Sequence, residues 1–195
     1  IFNPYSGKAQ IKNKLLQIVD IMVKAGYEVT IYPTQARADA LNLVQKRAKK
    51  YDLVVCRGGD GTLDEAVSGM MLSEKKVPLG YIPAGSTNDF ANSLKIPKDM
   101  VKAAKAAVSG KKFACDVGKF NDSFFIYVAA FGIFTAVSYK TSQEWKNILG
   151  HAAYILEGAK SLHEITSYHM RVEYEDQVIE DEFIYGMITN SNSVG

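Results

Sequence analysis

The densest chemical signal in the sequence is the run Gly58-Gly59-Asp60-Gly61-Thr62, set between an apolar stretch, Leu53-Val54-Val55-Cys56, and the start of a helical pattern. Its three glycines let the backbone pass close to a bulky polyanion without side chains in the way. Thr62, with Glu65 three residues on, spells a capping box. A helix opening there aims its first amides and its dipole into the turn, where an anion is favoured. Asp60 makes little sense as a bare neighbour of phosphate. It makes good sense as a ligand, direct or through water, of the Mg²⁺ that travels with a nucleoside triphosphate. The bland alternative is a strand-to-helix turn with a solvated aspartate, but such a turn needs one glycine rather than three. The dinucleotide fingerprint G-x-G-x-x-G is absent, and Gly80 to Ser86 lacks the lysine of the phosphate loop G-x-x-x-x-G-K-[ST].

A second segment, Pro83-Ala84-Gly85-Ser86-Thr87-Asn88-Asp89-Phe90-Ala91, again follows an apolar run and opens a helical pattern. It supplies a flexible glycine, two hydroxyls, an amide and a carboxylate within five residues. Taken alone it reads equally well as a capped helix start. The chain also opens on a polar turn, Asn3-Pro4-Tyr5-Ser6-Gly7-Lys8. Lys8 is placed either to meet phosphate or to stand solvated at a helix start. Three such turns at adjacent strand ends converge on one place, which favours a shared phosphate site over three unrelated turns.

The elements that position these turns follow from periodicity. Ile11, Leu15, Ile18, Val19 and Met22 predict a helix with one buried face, stopped at Gly26. Tyr27 to Tyr32 alternates as a strand does and is closed by Pro33, and a second helix is expected from about Ala38 to Lys49, with Leu41, Val44 and Ala48 inward. Leu53 to Cys56 has the continuous apolar character of a central parallel strand covered on both faces. Leu79 to Ile82 predicts another strand, followed by helical stretches near Asp89 to Leu94 and Met100 to Val108. This β-α-β-α order predicts an α/β fold, an open parallel sheet forming a nucleotide-binding domain over residues 1–111. From residue 112 the pattern changes. Phe113 to Phe120, Phe124 to Phe131, His169 to Tyr174 and Glu182 to Ile188 read as strands, with one helix from Ile148 to Leu162. Residues 112–195 therefore read as the start of a mainly β second domain, incomplete here. Ile1-Phe2 reads as the end of a buried strand and Asn190 to Gly195 as an open loop, so both ends look cut.

Composition sets the limits. The 195 residues are 47% hydrophobic and 23% charged with a net charge of +2, ordinary values for a globular chain and without the basic stripe of a nucleic-acid binder. No signal peptide is expected, and the longest apolar stretch, Phe124 to Tyr139, is shorter than the roughly 20 residues of a spanning helix. Cys56 and Cys115 both fall in runs that read as buried strands, which suits two reduced core thiols. His151, His163 and His169 have no partners at metal spacing and read as structural. Trp145, flanked by Lys140 and Lys146, either packs on the second domain or touches a bilayer surface. Arg57, just before the glycine turn, either meets phosphate or caps the exposed end of its strand.

Together these residues resemble the diacylglycerol kinase catalytic family, which includes bacterial lipid kinases and sphingosine kinases. The matching pieces are N-P-x-S-G-K at Asn3 to Lys8, G-G-D-G-T at Gly58 to Thr62, P-x-G-[ST]-x-N-D-F-A at Pro83 to Ala91, and Asp116 in Cys115-Asp116-Val117-Gly118. The resemblance runs on through Gly132 to Thr135 and Leu149 to Tyr154 and so covers the whole chain. G-G-D-G-T alone is shared with NAD kinases and phosphofructokinases, and the segment Pro83 to Ala91 narrows the choice. The resemblance implies ATP bound between two domains. It also implies Asp60, Asp89 and Asp116 around water and Mg²⁺, and a phosphate grip from Ser6, Lys8 and the glycine turn. Thr34 matches a position that touches the nucleotide. The expected nucleotide-contacting set is thus Asn3, Pro4, Tyr5, Ser6, Gly7, Lys8, Thr34, Gly58, Gly59, Asp60, Gly61, Thr62, Glu65, Ser86, Thr87 and Asn88. In this family the general base is an aspartate of the second domain, expected beyond Gly195, which leaves Asp60 as the catalytic residue within the chain. Two departures stand out: Asp64 where many members carry Asn, and Ser86 where many carry Thr.

The leading expectation is an ATP- and Mg²⁺-dependent lipid kinase acting on a hydroxyl such as that of diacylglycerol. Such an enzyme would be cytoplasmic, touch the membrane peripherally without a transmembrane segment, bind no nucleic acid, and be free to form a homodimer. Two rivals are a soluble-substrate kinase of the NAD kinase type and a non-catalytic nucleotide-binding regulatory module.

Overall fold

Val54, Val55 and Cys56 are apolar on both sides of the strand, and in the computed structural model both sides are covered by helices. The structure describes residues 1–7, 11–133 and 166–191. Lys8, Trp145, His151 and His163, the helix expected from Ile148 to Leu162, and the family matches at Phe134-Thr135 and Leu149 to Tyr154 lie outside the described residues. Packing divides the chain into two compact units, Ile1–Tyr127 with Asn190–Gly195, and Val128–Thr189. Residues 112–127, which the sequence pattern groups with the β-rich part, therefore pack with the first unit.

In the first unit, strands β1 (Val54–Gly58) and β2 (Leu79–Pro83) pair in parallel, with Val54 opposite Leu79 and Gly58 opposite Pro83. Phe2 extends the sheet through parallel bridges to Arg57 on one side and Pro33 on the other. The order across the sheet is therefore the segment around Pro33, then Ile1–Asn3, β1 and β2. The expected strand from Tyr27 to Tyr32 does not form as a regular element. The Phe2 N–H meets the Tyr32 carbonyl at 3.0 Å, and the Thr34 N–H meets the Phe2 carbonyl at 2.9 Å.

Strand alternation then sorts the core. Val54 and Cys56 pack with Val44, Ala48, Ala66 and Met70, from α2 (Asp39–Arg47), its short 3₁₀ extension and α3 (Asp60–Leu72). On the opposite face Ile82 packs with Ile11, Ile18, Ala103 and Ala104, from α1 (Ile11–Lys24) and from α5 (Met100–Ser109), which follows the short α4 (Asp89–Ser93), and Val55 joins them. The result is helix, sheet, helix, with the carboxyl ends of the strands at one edge. Gly26, at φ 88°, stops α1 in the left-handed conformation that glycine tolerates.

Beyond α5 the first unit adds a small hairpin, β3 (Gly118–Phe120) with β4 (Ser123–Phe125), turned at Asn121 with φ 53°. The strand expected from Phe113 is confined to Gly118–Phe120, because β4 offers partners to those residues alone. Cys115 is consequently exposed rather than buried, and both cysteines are free thiols. In the second unit, β5 (Val128–Gly132) pairs antiparallel with β8 (Tyr185–Thr189), and β6 (Tyr168–Tyr174) forms a hairpin with β7 (Gln177–Phe183). The expected run from Phe124 to Phe131 is thus broken at Ile126-Tyr127, and that from Glu182 to Ile188 at Ile184. His169 stands on the hairpin surface, 3.2 Å from Glu180 and 3.4 Å from Glu182. Among the described residues no helix is long and apolar enough to cross a membrane.

Candidate functional site

At the end of β1 the chain passes Gly59 at φ −84° and ψ −177°, and α3 starts at the next residue, Asp60. The capping box expected of Thr62 and Glu65 does not form, because the helix opens two residues before Thr62. Thr62 instead sits inside the first turn and donates its N–H to the Gly59 carbonyl at 3.1 Å. Glu65 turns away and accepts the Ala38 N–H at 2.9 Å, anchoring the start of α2. Gly59 brings no side chain to cap α3, and the acidic residue of the first turn is Asp60.

The glycines divide by role. A Cβ on Gly58 would lie 2.5 Å from the Thr62 Cβ, and one on Gly85 would lie 2.8 Å from the Gly59 Cα. Gly58 and Gly85 are therefore demanded by packing inside the protein, and Gly59, whose Cβ would lie 3.2 Å from the Gly85 Cα, is where the two turns meet backbone to backbone. Gly61 alone of the three would place a Cβ in open space.

Asp60 is the chemical centre of this contact. Its Oδ2 accepts the Thr87 hydroxyl at 3.4 Å and the Asp89 N–H at 3.3 Å. Its Oδ1 is buried without a hydrogen-bond partner. Burial first, and the negative charge of Asp89 second, push the Asp60 carboxyl above its ordinary value. A carboxylate oxygen that is buried, charged and unpartnered is costly unless something cationic or protic meets it. The main chain of Asp89 thus meets the Asp60 carboxylate, and the Asp89 charge acts on it. Asp116 is exposed, and its main-chain carbonyl accepts the Asn190 side-chain N–H at 2.5 Å. Among the described residues no three His, Cys, Asp or Glu side chains cluster closely enough to hold a metal ion.

The segment after β2 is built from inside. Asn88 sits at φ 53°, accepting the Gly85 N–H at 2.6 Å and donating to the Gly85 carbonyl at 2.8 Å. Tyr81, buried in β2, donates its hydroxyl to the Gly58 carbonyl at 3.1 Å and so ties the two strand ends together. Asn88 therefore shapes the turn with its side chain, whereas Ser86 is exposed and Thr87 leans on Asp60. Tyr81 was not among the expected site residues. Its signal was available, since a tyrosine in an otherwise apolar buried strand needs a partner for its hydroxyl.

The opening turn reaches the same place. Asn3 Oδ1 accepts the Tyr5 N–H at 2.9 Å, and a Cβ on Gly7, which has φ 60°, would lie 3.0 Å from the Ala84 carbonyl oxygen. Glycine at position 7 thus meets both a left-handed backbone and a close approach. Pro4 is half-buried and Tyr5 is exposed. Thr34 is buried, with its hydroxyl on the Phe2 carbonyl at 3.5 Å. Asp64, the departure noted above, accepts the Ile126 N–H at 3.4 Å, and burial pushes its carboxyl up to about 6. Cys56 is chemically quiet, its thiol pushed by burial up to about 12.

The fold and site are those of an α/β protein with three polar turns gathered at the carboxyl edge of a small parallel sheet. Residues 1–120 match the model of the diacylglycerol kinase catalytic domain, and the chain belongs to that family. It is 38% identical to a diacylglycerol kinase of Staphylococcus carnosus, covering 100% of this chain and 64% of that protein. It is 35% identical to a diacylglycerol kinase of Bacillus subtilis, covering 100% of this chain and 65% of the relative. A solved structure of a diacylglycerol kinase from Bacillus anthracis superposes with a TM-score of 0.78 at 29% identity, covering 98% of this chain and 63% of that one. The chain thus spans just under two thirds of the length of these relatives.

Proposed function

We propose that this chain carries the nucleotide-binding part of an ATP- and Mg²⁺-dependent lipid kinase that phosphorylates a hydroxyl such as that of diacylglycerol. The observation that carries the reading is the Asp60 carboxylate, with one oxygen held by Thr87 and Asp89 and the other buried without a partner. That orphaned oxygen fits a divalent cation or its water, with Asp89 as the neighbouring carboxylate. When bound, Mg²⁺ would neutralise the charge that develops on a transferring phosphoryl group. The chain's own part is positioning. The start of α3 offers its dipole, Gly61 leaves space beside it, and Thr87 fixes the orientation of Asp60. The proton acceptor for the lipid hydroxyl is assigned beyond Gly195. The proposed place of work is the cytoplasmic membrane surface, which a lipid substrate requires.

The deciding experiment is a phosphoryl-transfer assay of the full-length protein with Mg²⁺-ATP against diacylglycerols, other lipid alcohols and NAD. Turnover of a lipid alcohol supports the reading. Turnover of NAD alone, or ATP binding without turnover of any acceptor, defeats it.

A further inference from the structure

We infer that Arg57 is a positioning residue that holds the Asn3–Gly7 turn in the shape that receives phosphate. The residue is only 2% exposed, so it does not itself reach a ligand. Nη1 donates to the Asn3 carbonyl at 2.7 Å and Nη2 to the Ser6 carbonyl at 3.0 Å. A Cβ on Gly7 would lie 3.2 Å from Nη2, so the guanidinium lies directly against the turn. The main chain reinforces the contact, because the Asn3 N–H donates to the Arg57 carbonyl at 3.0 Å. One side chain at the end of β1 thus grips both ends of a turn that starts more than fifty residues earlier.

The geometry has a chemical consequence. A trans peptide points its C=O and N–H in opposite directions, and the chain has no cis peptide among the described residues. Holding the Ser6 carbonyl on Arg57 therefore turns the Gly7 N–H to the other side of the turn. The left-handed conformation of Gly7, φ 60°, suits a concave run of amides that binds anions. Among the described residues no carboxylate forms an ion pair with Arg57, and its Nε is buried without a partner. A buried cation without a counter-charge is expensive, and burial lowers its pKa. The cation stands directly beneath the turn, where it would favour an anion on the far side. Lysine cannot replace it, since a compact ammonium lacks the planar fork that spans two carbonyls.

This inference rests on the nucleotide reading above, and its test separates the two. Binding of Mg²⁺-ATP and of adenosine is measured by calorimetry on the full-length protein and on Arg57→Lys and Arg57→Met, with melting temperatures alongside. Amide exchange of residues 3–7 is followed in the unaltered protein with and without each ligand. The expected result is a loss of roughly tenfold in Mg²⁺-ATP affinity for Arg57→Lys and more for Arg57→Met, as when charge-assisted hydrogen bonds are removed. Adenosine affinity should stay within about twofold, because the turn is assigned to phosphate alone. Exchange at Gly7 should slow with Mg²⁺-ATP and not with adenosine. ATP binding without such slowing overturns the role of the turn, whether or not the variants fold. A variant that binds Mg²⁺-ATP as the original does, or that loses both ligands in equal proportion, overturns the role of Arg57. No ATP binding by the unaltered protein overturns the nucleotide reading itself, and this inference with it.

Discussion

The turns that follow β1 and β2 are equally rich in polar residues, yet they spend them in opposite ways. At the end of β1, Asp60 keeps one carboxylate oxygen buried and unpartnered. At the end of β2, Asn88 turns both ends of its amide onto Gly85. One turn stores an unsatisfied charge, and the other satisfies its own backbone. Residues of the first kind serve chemistry at a cost to stability, and residues of the second kind serve stability so that the first can be held in place. Gly59 and Gly85, in backbone contact, are where the two strategies meet.

The contrast can be broken most directly at Asp60. Asp60→Ala in the full-length protein should lower phosphoryl transfer on the order of 10²-fold or more, a size typical of losing one preorganised charge contact. Its melting temperature should hold or rise, since burial and Asp89 already disfavour the ionised carboxylate. An inactive variant that also melts much lower would place Asp60 with Asn88 among the scaffold residues. Asn88→Ala should show the reverse pattern. It leaves the Gly85 N–H and carbonyl unpaired and puts alanine at the left-handed position 88, for about 1–3 kcal/mol of stability. Chemical denaturation reads this directly, and a variant as stable as the original would dissolve the contrast.

The smallest expected effect sharpens the comparison through pH. The Asp64 carboxyl titrates at about 6 in the folded chain against an ordinary value of 3.8. Between those values the folded state binds the extra proton, so stability falls as pH rises from about 4 to about 6 and stays lower above that. Asp64→Asn keeps an oxygen for the Ile126 N–H and removes the ionisation. In chelator, the variant should be more stable by about 1–2 kcal/mol at pH 8, with the advantage gone near pH 4. A pH-independent difference would show that burial of Asp64 is not the cause.

Much of the scaffold was legible in advance because it is written in local pattern. The buried faces of α1 and α2, the left-handed stop at Gly26 and the paired runs of β1 and β2 all follow from periodicity and glycine placement. The failures have a shared cause. Phe113 to Val117 has the apolar content of a strand, yet its partner β4 pairs with Gly118–Phe120 alone. A strand is completed by its partner, and a partner is not a local property. Thr62 and Glu65 have the spacing of a capping box, but the helix opened earlier and Glu65 found Ala38.

The same division runs through the site. The sequence by itself determined which residues stand at strand-to-helix turns: Gly58 to Thr62, Pro83 to Ala91 and the turn from Asn3. It could do so because glycine content, apolar runs and helix period are properties of neighbours along the chain. Only the tertiary structure decided what each polar group does there. Arg57 meets carbonyls 54 and 51 positions away, Glu65 an amide 27 away, and Asp60 a hydroxyl 27 away. A buried donor or acceptor must find a partner, and which one lies within 3.5 Å is settled by how the elements pack, not by spacing along the chain.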